Sequence, residues 1–190
     1  MSRHGKEPGL RPPALLSSYS SGTSDTPLLG DTIGAGLART AAAHPDRDAL
    51  VDRAGGVRLT YREFDAVVDR VALGLLALGV AKGDRVGVWS PNRAEWVYTQ
   101  YATARLGAIM VNVNPAYRTH ELEYVLNQAG ISVLVSAPSF RTSDYAAMIE
   151  EVRGRCPDLL EVVLFDGPAW AGLLAAGEEG DPARLAEIEL

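Results

Sequence analysis

Apolar positions recur along the chain with two periods, and the two alternate regularly between residues 85 and 165. Upstream of that region, Asp31 or Thr32 can cap a helix running to about residue 43, with Ile33, Leu37 and Ala41 on one side. Pro45 ends it. Residues 49–51 and 57–60 read as short strands around an Ala54-Gly55-Gly56 turn, a β-hairpin feeding a helix. In that helix Thr60 and Glu63 stand at capping-box spacing, where each side chain satisfies a backbone N–H at the helix start. Phe64, Val67, Val68, Val71, Leu75 and Leu78 follow at helical spacing, and Gly79 suits a left-handed cap.

The regular part begins where Lys82-Gly83-Asp84 turns the chain into a strand at residues 85–89. Pro91-Asn92 opens a helix over about 93–106. Residues 109–113 form a strand, expected to be buried, which Asn114-Pro115 breaks. Thr119 can cap a helix to about 128, with Leu122, Val125 and Leu126 apolar. A strand at 131–135, a helix over about 142–153 and a strand at 160–165 complete the series. This alternation predicts an α/β fold: a mostly parallel sheet with helices on both faces and right-handed crossovers.

Length and composition set the frame. A chain of 190 residues fits one domain or part of a larger one. Its 47% hydrophobic and 22% charged residues suffice for a packed core. Residues 1–30, rich in Pro, Ser and Gly, read as a flexible or extended N-terminal segment. Residues 31–167 read as the folded domain. Residues 168–190, Ala-rich and interrupted by Gly180-Asp181-Pro182, read as a linker or marginal helices. The net charge of −6, with no run of Lys or Arg, argues against a nucleic-acid partner. No apolar run approaches the roughly 20 residues that span a bilayer, and residues 1–21 lack the apolar core of a secretory signal. One cysteine, Cys156, rules out an intrachain disulfide and suits a reducing, cytoplasmic location. It reads as a half-buried thiol at a helix end.

Candidate chemistry is sparse. A dinucleotide site needs glycines in the first strand-to-helix turn. Gly30, Gly34 and Gly36 have no strand before them, while Gly79, Gly83 and Gly87 fall at a helix end, a turn and a strand interior. Ser20-Ser21-Gly22-Thr23-Ser24-Asp25-Thr26-Pro27-Leu28-Leu29 imitates a phosphate loop, but Asp25 puts a carboxylate where phosphate must sit and Leu28 removes the usual lysine. It reads as a decoy, an extended segment. His44 reads as a helix-end residue and His120 as an exposed first-turn residue rather than as bases.

The order of several short motifs resembles the N-terminal region of adenylate-forming (AMP-binding) enzymes. They are Leu59-Thr60-Tyr61-Arg62-Glu63-Phe64, Lys82-Gly83-Asp84-Arg85-Val86, Ser90-Pro91-Asn92 with Glu95-Trp96, Arg105-Leu106-Gly107-Ala108, and Asn112-Val113-Asn114-Pro115. Ser24 to Leu29 and Asn114-Pro115-Ala116-Tyr117 bring the chain closest to medium-chain acyl-CoA synthetases of the kind called family member 2, and to bacterial fatty-acid–CoA ligases. The resemblance spans residues 19–165. It implies the first subdomain of the family's N-terminal domain, incomplete.

The parent reaction is the ATP-dependent activation of a fatty acid to acyl-AMP, then transfer to coenzyme A. The resemblance places the phosphate loop, the Mg²⁺-holding acid, the ribose-binding Asp and the lysine of a mobile C-terminal domain downstream of the matched region. The chain is therefore expected to stop before them. No catalytic, cofactor-binding or metal-binding residue is assigned, and ATP, Mg²⁺ and coenzyme A belong to the parent family rather than to this chain. The implied function is a truncated or split fatty acyl-CoA synthetase, inactive alone, whose partner is the missing part as a separate chain. The alternative is a stand-alone acyl- or partner-binding module. A nucleotide-dependent oxidoreductase shares the fold class but lacks its glycine fingerprint.

Overall fold

The computed structural model describes Thr26 and residues 29–188. Contacts divide the chain into two units, Met1–Gly30 and Asp31–Leu190. All elements below belong to the second. The phosphate-loop decoy lies outside the described residues except for Thr26 and Leu29.

Helix α1 (Ile33–Ala43) starts where Thr32 Oγ1 accepts the Ala35 N–H at 3.1 Å, which settles the choice of cap. Leu37 and Ala41 are buried as expected, but Ile33 is 63% exposed, because Gly34 rather than Ile33 faces inward in the first turn. Strands β1 (Asp48–Asp52) and β2 (Val57–Thr60) form the antiparallel hairpin, with one register shift between Asp48 and Leu50. Asp52 closes its turn by accepting from the N–H groups of Ala54 and Gly55.

Helix α2 (Tyr61–Ala77) follows without a gap, and its capping box forms in both directions: Thr60 N–H donates to Glu63 at 2.8 Å and Glu63 N–H to Thr60 Oγ1 at 3.3 Å. Those two bonds satisfy donors that the first helical turn leaves without partners. The Thr60 N–H and the Thr60 hydroxyl, which both donate to the Glu63 carboxyl, hold it below its ordinary pKa. Phe64, Val68, Val71 and Leu75 are buried, and Gly79 has φ +88° at the exit.

Four parallel strands then form the central sheet in the order β4-β3-β5-β8, from β3 (Arg85–Trp89), β4 (Ile109–Val113), β5 (Val133–Ser136) and β8 (Glu161–Leu164). Between them run α3 (Ala94–Leu106), α4 (Thr119–Ala129), a two-residue hairpin of β6 (Ser139–Phe140) and β7 (Ser143–Asp144), and α5 (Tyr145–Arg153). Two details differ from the sequence reading. Arg118, not Thr119, is the residue before α4, and its N–H is taken by Glu121 at 3.1 Å. The expected helix start at 142 is a short hairpin instead, and Asp144 caps α5 by accepting from the Ala147 N–H.

The strand expected to be buried, β4, is an edge strand: Ile109 is 52% exposed and Asn112 is exposed. Periodicity marks a strand but does not say where the strand sits in the sheet.

Helices α4 and α5 pack together as one layer, and α1, α2 and α3 as another. The second layer is completed by α6 (Pro168–Glu178) and α7 (Ala183–Ile188), formed by the residues read as a linker or marginal helices. Pro168 sits at the first helical position, where its missing N–H costs nothing. Trp170, Leu173 and Gly177 of α6 are buried against α2. The crossing is close because glycines meet there. A Cβ on Gly177 would lie 1.9 Å from the Arg70 carbonyl oxygen, and one on Gly74 would lie 2.3 Å from that of Leu173. Both obstacles are backbone, so neither can swing aside.

Gly177→Ala is therefore expected to push α6 off α2 and destabilise the fold by about 3 kcal/mol. Ala at the open position Gly172 on the same helix, where nothing lies within 4 Å, is expected to be neutral or slightly stabilising. Urea unfolding of the two variants measures the difference.

Candidate functional site

In open α/β sheets, ligands enter at the carboxyl ends of the strands, beside the point where the strand order reverses. Here β3 leads to β4 on one side and its other neighbour is β5, so the reversal lies between β3 and β5. This rim is the place where a site is expected.

The rim is filled. Trp89, the last residue of β3, and Tyr145, the first of α5, are both fully buried, and their rings stack at 3.6 Å between centroids and 10° between planes. Each ring also spends its polar atom on the turn after β4. Trp89 Nε1–H donates to the Asn114 carbonyl at 3.0 Å, and Tyr145 O–H donates to the Pro115 carbonyl. A buried indole or phenol needs such a partner. Ser136, at the end of β5 and also fully buried, donates within reach of the Trp89 and Ala137 carbonyls. The Asn114-Pro115 motif is thus a turn pinned by two aromatic donors.

The same rim is closed again at Arg93, the residue before α3. Its guanidinium bonds to both oxygens of Glu95, at 2.7 and 2.9 Å, and to both oxygens of Asp166, at 2.9 and 2.8 Å. It lies 4.9 Å over the ring of Phe165. Arg93 therefore ties the exit of β3 to the exit of β8, past β5. The bonds that Arg93 donates to Glu95 are the main reason that the guanidinium's pKa is raised, and Arg93 in turn holds the Asp166 carboxyl below its usual range. Asp166 has φ +63°, a left-handed conformation that costs a non-glycine residue some free energy.

A cavity of about 390 Å³ lies beside this clamp, lined among others by Asp52, Asn92, Arg93, Glu95 and Asp166. Three carboxylates face one arginine that is already bonded to two of them. Burial and the charges of Glu95 and Asp52 push the nearby Tyr98 phenol up to about 12. That balance repels a triphosphate. No group of three or more His, Cys, Asp or Glu among the described residues is placed to hold a metal ion. The residues lining this cavity do not fit ATP or Mg²⁺, so no chemical step is routed through either.

The remaining polar features belong to the scaffold. Arg105, 5% exposed, bonds to Asp65 at 2.7 Å and to Asp69, joining α3 to α2. Burial opposes its charge, but the bond it donates to Asp65 and the charges of both aspartates outweigh that and raise its pKa. Asp69 is shifted upward by its own burial, against the pull of Arg105. Cys156 is more buried than expected, at 3% exposure, and burial raises its thiol pKa, which makes it a poor nucleophile. His44 is the C-cap of α1, and His120 is exposed in the first turn of α4. Sequence reasoning missed the Arg93 clamp. Its partner Asp166 lies 73 residues away, and no local pattern links the two.

The clamp has a pH signature. The pKa of Asp166 in the folded state lies below its unfolded value of about 3.9, so its ionised form stabilises the fold. That contribution is expected to be complete above the unfolded pKa and to disappear as pH falls through the lowered folded one. Asp166→Asn is expected to flatten the acid limb of a stability-against-pH curve and to leave its neutral limb parallel to the parent. Thermal melts between pH 2 and 7 measure it.

Comparison with known proteins identifies the family and the fold. Residues 37–187 match the family model described as AMP-binding enzyme. The medium-chain acyl-CoA ligase ACSF2, mitochondrial, of Macaca fascicularis is 41% identical over 170 residues, which is 83% of this chain and 28% of that protein. The N-terminal domain of FACL13 from Mycobacterium tuberculosis, solved with an inhibitor bound, has a TM-score of 0.69 at 28% identity, over 80% of this chain and 36% of that one. A fatty acyl CoA synthetase of the same organism gives 0.68 at 29% identity, over 76% of this chain and 28% of its own. The chain spans under a third of the curated relative it matches. It belongs to the AMP-binding enzyme family and carries the amino-terminal part of the fold found in acyl-CoA ligases.

Proposed function

We propose that these 190 residues are the amino-terminal scaffold of a fatty acyl-CoA ligase and that they do not activate an acid by themselves. The parent reaction in this reading joins a fatty acid to AMP at the expense of ATP, then passes the acyl group to coenzyme A. The observation that carries the reading is the closed rim. The carboxyl ends of β3, β5 and β8 are occupied by Trp89, Tyr145 and the Arg93 clamp, with three carboxylates against that one arginine in the adjoining cavity. A site for a nucleotide must then be supplied by chain beyond the matched third of the relatives' length. In this reading the partner is the rest of the ligase, joined to this chain or separate from it.

No described helix is long and apolar enough to cross a membrane. A cytoplasmic location is proposed from the single unpaired cysteine. The macaque relative carries a mitochondrial designation, and fractionation of the expressing cell decides the compartment.

The test is acid-dependent ATP–pyrophosphate exchange with medium- and long-chain fatty acids. The chain alone is expected to match a no-protein blank; exchange well above it contradicts the proposal. A parallel titration with a fluorescent fatty acid addresses the stand-alone module. It is expected to show no saturation, and saturable micromolar binding would favour the module.

A further inference from the structure

Asp166 is followed by Gly167, and no other Asp or Asn in the chain has glycine after it. That pair is chemically reactive. Glycine has no side chain to shield its nitrogen, so the nitrogen can attack the carboxyl carbon of the preceding Asp and close a cyclic succinimide. A C–N bond forms and a C–O bond breaks. The carboxyl hydroxyl leaves with the amide proton as water. A second water then opens the ring at either carbonyl. One opening gives back Asp; the other gives isoaspartate, in which the main chain runs through the former side chain. Nothing is oxidised or reduced, and water is the only co-reactant.

Three features around Asp166 favour this chemistry. Its side chain is 60% exposed, so water has access. Its φ of +63° lies in the left-handed region that an L-residue occupies at some cost. The Gly167 N–H meets the Leu164 carbonyl at 3.4 Å, a long contact that ties the attacking nitrogen weakly. Arg93 opposes all three. It donates to both carboxylate oxygens of Asp166, at 2.9 and 2.8 Å. Arg93 is itself fixed by two bonds to Glu95 and lies over the Phe165 ring. A carboxyl held at both oxygens is aimed at the guanidinium and away from the Gly167 nitrogen. The same pairing keeps it ionised, and an anionic carboxylate is a poor target for a nucleophile.

We propose that Asp166 is a site of spontaneous isoaspartate formation and that its two-point pair with Arg93 holds the reaction back. The site sits at a joint, because Asp166 lies just past β8 and Gly167 is the N-cap of α6. Isoaspartate lengthens the main chain there by a methylene and leaves its carboxylate directly on Cα, without the methylene arm that now reaches Arg93. The shorter arm withdraws from the guanidinium, and the tie between the exits of β3 and β8 opens. The change is covalent, so the opened clamp persists.

The test incubates the folded chain at neutral pH and follows isoaspartate at Asp166 by enzymatic methylation of isoaspartyl carboxyls and by mass spectrometry. A synthetic peptide of residues 164–170 sets the unprotected rate. The parent chain is expected to react roughly tenfold or more slowly than the peptide. Arg93→Met is expected to bring the folded chain to within about threefold of the peptide. Glu95→Gln breaks the other side of the clamp but keeps the Asp166 pair, and is expected to leave the parent rate unchanged. Circular dichroism checks that each variant is folded. If Arg93→Met is not, Arg93→Lys replaces it; lysine keeps the charge without the two-point hold and is expected to give an intermediate rate. A parent chain as fast as the peptide overturns the proposal. So does a folded Arg93 variant as slow as the parent, or a Glu95→Gln chain as fast as the Arg93 variant.

Discussion

The four parallel strands between Arg85 and Leu164 have to be covered on both faces, because their side chains are apolar on both. Val86 and Val88 face one way while Gly87 and Trp89 face the other, and all four are buried. One layer, α4 and α5, covers the Trp89 face. The other needs α2, α3 and also α6, which reaches its place only by a backbone-to-backbone approach at Gly74 and Gly177. Even the sheet interior is fitted to this closeness. A Cβ on Gly87 would meet Ile131 and Leu134 at 2.9 and 3.0 Å. The same demand for cover leaves β4 as the anomaly: apolar and half-exposed.

The local grammar of the fold was legible in the sequence, and its long-range fitting was not. The Thr60–Glu63 box, the Gly79 exit and the hairpin at Ala54–Gly56 are set by neighbours within four residues, so pattern alone finds them. The choice between linker and packed helix for residues 168–178 depends on whether Gly177 meets another backbone, which only the partner α2 reveals. The shift of the α4 cap from Thr119 to Arg118 is instead local, three residues in span. Glu121 satisfies the Arg118 N–H, and a threonine one residue later has no cap left to make.

The rim shows the same division. Asn114-Pro115 was readable as a strand-breaking turn. That Trp89 and Tyr145 each donate to its carbonyls required the fold to bring residues 25 and 30 positions apart together. Arg93, Glu95 and Asp166 are ordinary charges in the sequence and a closed clamp in space. Motifs that identify the family therefore act here as caps, turns and packing contacts.

The central claim is that the carboxyl-end rim of this unit is a closed structural surface. A ¹⁵N–¹H NMR titration of the chain with Mg²⁺-ATP tests it most directly. The account predicts no saturable shift of the amides of Ser90, Asn92, Arg93, Glu95 and Asp166 beyond the gradual drift that any added salt produces. Saturable shifts confined to those amides, lost in Arg93→Ala, would contradict it.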